Sequence, residues 1–245
     1  MADVPTGTVA LITGANKGLG REIARQLAER GGTVLLGARD PARGAAAAAE
    51  LTAAGLAAVA VRLDVTDAAT IAAAAADIDR RYGRLDVLVN NAGITGGPGA
   101  APSATPPDQL REVYETNVVG VVAVTNAMLP LLRRSAAGRI VNMSSDAGSL
   151  ALNTEPDSAF KNYHQLAYQS SKAALNFLTV AYAKELRDTA IKVNSANPGF
   201  VATDINGHRG HRTVGQGAAV AVRLATLGPD GPTGTSQDED GAVPW

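Results

Sequence analysis

The sequence predicts an α/β fold: a doubly wound parallel sheet with helices on both faces, in a single domain. Three observations predict it. Short aliphatic runs alternate with longer helical windows, the pattern of repeated β-α units. The strand runs are apolar throughout, as for strands buried on both faces. The length, 245 residues, suits one α/β domain, and no linker divides it.

Taken in order, Val9-Ala10-Leu11-Ile12 is a strand ending at Thr13-Gly14. Residues 18–30 are a helix stopped by Gly31-Gly32. Val34-Leu35-Leu36 is the second strand, followed by an alanine-rich helix to about Ala54. Residues 58–63 are the third strand, and residues 67–82 a helix with Thr66 or Asp67 as its cap. Val87-Leu88-Val89 is the fourth strand. A Pro/Gly-rich loop, residues 95–107, leads into a helix from about Asp108 to Leu132, with Pro130 set to kink its end. Residues 139–143 are the fifth strand. After a polar loop, residues 167–187 are a helix and Ile191-Lys192-Val193-Asn194 the sixth strand. The tail after Leu227 is rich in Gly, Pro and acid, with room for a short strand around Gly234-Thr235-Ser236. Crossovers in such a sheet are right-handed.

Apolar residues make up 46% of the chain and aromatics only 4%, so the core rests on Ala, Val, Leu and Ile. Alanine runs such as residues 45–49 and 72–76 sit in helical windows, where Ala is the best former. The net charge of −1 argues against a nucleic-acid partner and against a polybasic membrane patch. Cysteine is absent, which excludes disulfides, zinc thiolates and thiol catalysis. No metal site is expected, because His164, His208 and His211 have no metal-ligand spacing with acids. The N-terminus lacks the pattern of a secretory signal. No run of about 20 apolar residues suits a membrane span. Cytoplasmic residence is the expectation.

The first strand runs into T-G-A-N-K-G-L-G, residues 13–20, and then a helix. Gly14, Gly18 and Gly20 permit a tight turn and close backbone approach. The helix N-terminus offers free N–H groups to a phosphate. A purely structural turn is the competing reading. Its spacing, G-x-x-x-G-x-G, departs from the G-x-G-x-x-G of the common dinucleotide fold.

Together with Asn90-Asn91-Ala92-Gly93, Asn117, Ser144-Ser145, Tyr168-x-x-x-Lys172 and Pro198-Gly199, this loop resembles the short-chain dehydrogenase/reductase family, from Thr8 to about Thr203. The resemblance implies a Rossmann-like fold that binds NADP(H) or NAD. It assigns the cofactor to Gly14, Asn16, Lys17, Gly18, Leu19 and Gly20. It adds Asp64 and Val65 beside adenine, Asn91, Ala92 and Gly93 beside its ribose, and Pro198, Gly199, Val201 and Thr203. An acid at the end of the second strand holds the NAD ribose, whereas Arg accommodates a 2′-phosphate. Ala38 stands where NAD-dependent relatives carry their acid, and Arg39 follows. Lys17 can converge on the same phosphate, which favours NADP. The alternative leaves Arg39 and Lys17 as solvated charges, with Asp40 beside Arg39.

Tyr168 and Lys172 are four residues apart, so they share a helix face. The lysine charge is expected to lower the phenol pKa, suiting Tyr168 to exchange a proton with a carbonyl or alcohol oxygen. The resemblance gives Ser145 the substrate oxygen, with Ser144 the competing choice. It also gives Lys172 the nicotinamide ribose, and Asn117 a water on a proton path from Lys172. Tyr163 and Tyr182 are rivals without a lysine four residues on.

Ser145 and Tyr168 are separated by a longer segment than the resembling family usually carries, so residues 146–166 read as an insertion. With the Ala38-Arg39-Asp40 stretch and Trp245, it is similar in pattern to monomeric NADPH-dependent carbonyl reductases. A monomer is therefore favoured, with a homo-oligomer as the alternative. Phe160, Tyr163, His164, Met143 and Phe200 are expected to line a substrate pocket. Residues 200–213 would form a lid moving at Gly207 and Gly210. The expected reaction is reduction of a small ketone, aldehyde or quinone carbonyl. The alternatives are alcohol oxidation and a non-catalytic NADP-binding regulator.

Overall fold

The computed structural model describes residues 7–245. Seven parallel strands form one sheet in the order β3-β2-β1-β4-β5-β6-β7. They are β1 (Val9–Thr13), β2 (Thr33–Ala38), β3 (Ala58–Arg62), β4 (Val87–Asn90), β5 (Arg139–Met143), β6 (Lys192–Ala196) and β7 (Ser236–Gln237). The order reverses direction at β1, which pairs with both β2 and β4. In open α/β sheets the crevice at such a reversal, beyond the strands' C-terminal ends, is where ligands bind.

Two cores cover the faces, and the strands' two-residue period divides them. Ala10 and Ile12 of β1 join one core with Ile23 and Leu27 of α1 (Gly18–Glu29), Leu51 of α2 (Pro41–Ala53) and Leu224. Val9 and Leu11 join the other with Ile71 and Ile78 of α3 (Ala68–Tyr82), Met128 and Leu186. Asp40 caps α2 by accepting from the N–H groups of Ala42 and Arg43, and Asp67 caps α3 in the same way.

The helix expected over residues 108–132 is three pieces: α4 (Pro107–Tyr114), a π turn (Glu115–Val119) and α5 (Gly120–Leu132). Pro130 lies inside α5 without ending it. The 26-residue run Pro107–Leu132 is long and apolar enough to cross a membrane by length and composition alone. Here it serves the core instead: α5 packs on α3, α4 packs on α7 (Leu166–Glu185), and Val113, Val124 and Met128 are buried.

Two helices were not anticipated. The short α6 (Leu150–Thr154) lies in the expected insertion, and the N–H of Ala151 donates to the carbonyl of Trp245 at 2.9 Å. The longer α8 (Val214–Ala225) packs against α1 and opens on a reciprocal cap between Thr213 and Gln216. The last strand, Ser236–Gln237, starts two residues later than expected and pairs with β6.

Candidate active site

Strand β5 and helix α7 build the centre of the site. After Met143 the chain passes Ser144 and Ser145 and enters a short turn, Asp146–Gly148. A Cβ on Gly148 would stand 2.6 Å from the Cβ of Lys172, so only glycine lets this turn lie directly on α7. The contact brings Ser145 beside Tyr168, near enough for its hydroxyl to act on the phenol. Ser145 also accepts from the N–H of Ala147 at 3.2 Å. Ser144 faces the interior and donates to Asn176 Oδ1 at 2.6 Å. Of the two serines, Ser145 is therefore the one at the tyrosine.

Lys172 is buried and donates to the Met143 carbonyl at 2.7 Å, with its Nζ 5.5 Å from the centre of the Tyr168 ring. Burial brings its pKa down from 10.5 to about 8. The expected acidification of Tyr168 is not what this environment produces. Tyr168 is half-buried, and desolvation pushes its pKa up to about 12. The Ser145 hydroxyl opposes that rise, while Tyr163 and Asp146 add to it. Desolvation outweighs the ammonium, whose own charge the same burial disfavours. Tyr168 holds its proton.

Asn117 lies in the π turn and is buried. Its Oδ1 accepts from the N–H of Ile94, and its Nδ2 donates to the Ile94 carbonyl and to Ser171 Oγ, at 2.9, 2.9 and 3.0 Å. A Cβ on Gly93 would lie 3.3 Å from Asn117 Oδ1 and 3.6 Å from Lys172 Nζ. The backbone after β4 therefore runs between the two side chains.

The glycine loop fits a phosphate-bearing ligand. Gly14 and Gly18 have φ of 63° and 53°. A Cβ on Gly20 would clash with Asn91 Nδ2 at 2.4 Å. Unlike α2, α3 and α8, helix α1 has no side-chain cap, so its N-terminal N–H groups are left for an anion. Asn91 ties the loop to β4, its Nδ2 donating to the carbonyls of Thr13 and Gly14 at 2.8 and 3.3 Å. The N–H groups of Asn91 and Ala92 both donate to Thr13 Oγ1. Asp64 is held by Thr66 and Thr70 beyond the end of β3. Ala38 is buried and Arg39 exposed. Lys17 does not join Arg39 here; its Nζ pairs with Asp204 at 2.6 Å.

The segment after Pro198-Gly199 folds back over this loop. Val201 bridges to Arg212, and the methyl of Thr203 would lie 3.9 Å from a Cβ on Gly18. Gly210 is not a free hinge, because a Cβ there would fall 2.2 Å from the backbone of Val201; close approach is what requires glycine. Of the expected pocket residues, Met143 belongs to the core. Phe160 and Tyr163 pack edge to face, and Phe200 lies 6.1 Å from His211. His164 lines a cavity of about 250 Å³ between the insertion and α7, with Gly148, Leu150, Leu166 and Ala173. The sequence reading missed the Met143 carbonyl, Asn176 and Asp146; only the adjacency of Asp146 to Ser145 marked any of them.

Comparison with known proteins agrees with this geometry. The family model for short chain dehydrogenase matches residues 8–213. Short-chain dehydrogenase anuI of Penicillium roqueforti is 38% identical over 231 residues, covering 91% of this chain and 90% of the relative. Salutaridine reductase of Papaver bracteatum is 34% identical, covering 94% and 93%. Among solved structures, NADPH-bound carbonyl reductase from chicken fatty liver superimposes with a TM-score of 0.86 at 31% identity, covering 99% of this chain and 100% of that one. A gluconate 5-dehydrogenase from Burkholderia cenocepacia, in complex with NADP and tartrate, gives 0.82 at 27%, covering 96% and 94%. With the serine, tyrosine and lysine gathered at the mouth of a doubly wound sheet, this chain is an oxidoreductase of the short-chain dehydrogenase family.

Proposed function

We propose that the protein uses NADPH to reduce the carbonyl of a small ketone, aldehyde or quinone to an alcohol. The observation that carries this reading is Ser145 beside Tyr168, with Lys172 against the tyrosine ring. When bound, the cofactor supplies the hydride. Ser145 hydrogen-bonds the carbonyl oxygen, and Tyr168 gives its proton to the same oxygen as negative charge develops there. A phenol whose pKa stands near 12 is protonated at neutral pH, so it has a proton to give. Lys172 stays mostly protonated near neutrality and can pass a proton on toward Tyr168. Asn117, in its π turn, fixes the loop after β4 beside Lys172 and would hold the water that leads the proton path outward.

The cofactor contacts follow from the fit of the loop. The α1 N-terminus takes the pyrophosphate. Arg39 and Lys17 take the 2′-phosphate, Lys17 after leaving Asp204. Ala38 supplies no acid to hold NAD. The NADP- and NADPH-bound relatives support this choice.

The test is nicotinamide absorbance against a panel of aromatic ketones, aldehydes and quinones, with NADPH and NADH in parallel. Consumption of NADPH dependent on the carbonyl is expected. No consumption with either cofactor overturns the reading, and a clear NADH preference overturns its cofactor half.

A further inference from the structure

Lys17 stands immediately before α1, and its ammonium already holds an anion. Its Nζ meets Asp204 Oδ2 at 2.6 Å. Asp204 opens a short turn of the lid, Asp204–Asn206, so the pair ties the lid to the glycine loop. The other oxygen, Oδ1, stands 2.8 Å from His208 Nε2. Lys17 first, and His208 after it, hold the Asp204 carboxyl below its ordinary range, so it is an anion at neutral pH.

The lid backbone is folded around this contact. His208 has φ of 60°, and among the described residues it alone has a positive φ without being glycine. That region is uncommon for a residue with a Cβ, and such strain gathers where position matters. The His208 N–H donates to the Thr203 carbonyl at 2.9 Å, which closes the turn on itself. Thr203, beside Asp204, is the residue that comes close to Gly18. Of the two cations read for the 2′-phosphate, Lys17 is the one engaged with an acid; Asp40, beside Arg39, pairs with Arg43 instead.

A carboxylate and a phosphate make the same demand on an ammonium, a hydrogen bond to a charged oxygen. Two anions crowded on one ammonium repel each other, so Lys17 serves one at a time. We propose that Asp204 is a latch that occupies the place of the NADPH 2′-phosphate at Lys17 and holds the lid turn to the glycine loop until that phosphate displaces it. The proposal rests on the cofactor reading above. NADH has no group for Lys17 and leaves the latch shut. Once released, Asp204 keeps His208 and faces solvent, so opening leaves no buried charge behind. An exposed ion pair of this kind holds lightly, as a contact made to be exchanged must.

The experiment titrates the full chain with NADPH and with NADH, followed by nicotinamide fluorescence. It compares wild type, Asp204→Asn, Asp204→Ala, Lys17→Ala and the double variant Lys17→Ala/Asp204→Asn, each checked for folding by thermal melting. Either Asp204 substitution should tighten NADPH binding by roughly two- to fivefold, the scale of an exposed ion pair, and leave NADH binding unchanged. In the Lys17→Ala background Asp204→Asn should change nothing. NADPH binding that is unchanged or weaker in both Asp204 variants overturns the latch. A gain that appears equally with NADH, or that survives without Lys17, also overturns it, because that is the field of a missing acid and not a released lysine. Binding of neither cofactor by wild type overturns the cofactor reading, and the latch with it.

Discussion

Lys172 Nζ stands 5.5 Å from the centre of the Tyr168 ring while donating to the Met143 carbonyl, so the cation is pinned beside the phenol by the end of β5. Pinning it there keeps it out of water. The two groups respond in opposite directions, the lysine falling to about 8 and the tyrosine rising to about 12, because burial penalises whichever form is charged.

This has a measurable effect on stability. Lys172 binds its proton up to a pKa of 10.5 when unfolded but only to about 8 when folded. Between those values the unfolded chain carries more protons, so the contribution of this group to stability rises with pH. Below about pH 8 the fold carries a buried ammonium at a cost on the order of 3 kcal/mol. Urea unfolding of wild type and Lys172→Met, at about pH 7 and about pH 9, reads the difference, and Tyr168 is common to both chains. Wild type should gain on the variant at the higher pH. A difference that does not change with pH contradicts the buried, depressed lysine.

Gly148 is the contact that seats Ser145 on α7. Gly148→Ala forces the turn off Lys172, whose backbone carbon lies 2.7 Å from the added Cβ. We expect a loss of roughly a hundredfold in kcat, the scale of a misplacement of about an ångström. Overpacking should also lower stability by about 1–3 kcal/mol. Steady-state kinetics beside thermal melting will separate the two; unchanged kcat would mean that Ser145 need not meet Tyr168.

For the cofactor, Arg39→Ala and Lys17→Ala should each raise KM for NADPH by about tenfold, since each removes a charge-assisted bond to the 2′-phosphate. KM for NADH should stay near its starting value. Equal effects on both cofactors would place the two cations elsewhere.

Much of the fold was legible because its strands are uninterrupted aliphatic runs and its loops are marked by Gly and Pro. The site was legible where chemistry depends on spacing: Tyr168 with Lys172, and the glycines before α1. Helix α8 was hidden by Gly215 and Gly217, poor helix formers. Gly217 is there because a Cβ would strike Val201 at 2.3 Å, a packing demand that no local pattern reveals. The Thr213–Gln216 cap was the available signal. The π turn at Asn117 has no such signal, and α6, with five residues, is too short for periodicity to speak. The tyrosine pKa was misjudged because spacing reports the neighbouring charge and not the burial of both groups.

We propose that the chain is a monomer, with the insertion lying over the first turns of α7. Beyond that cover, Phe177 is 69% exposed and Val119 48%. Light scattering should therefore return a mass near 24.9 kDa. A stable dimer or tetramer would refute the monomer and point to a second copy on the face bearing Phe177.

The most direct measurement of the central claim is NADPH consumption by Tyr168→Phe with a ketone that wild type reduces. Loss of the phenolic proton should lower kcat by about 10² to 10⁴-fold, while NADPH fluorescence titration finds the cofactor bound as before. Turnover at the wild-type rate with the phenylalanine in place would contradict the assignment of Tyr168 as the acid.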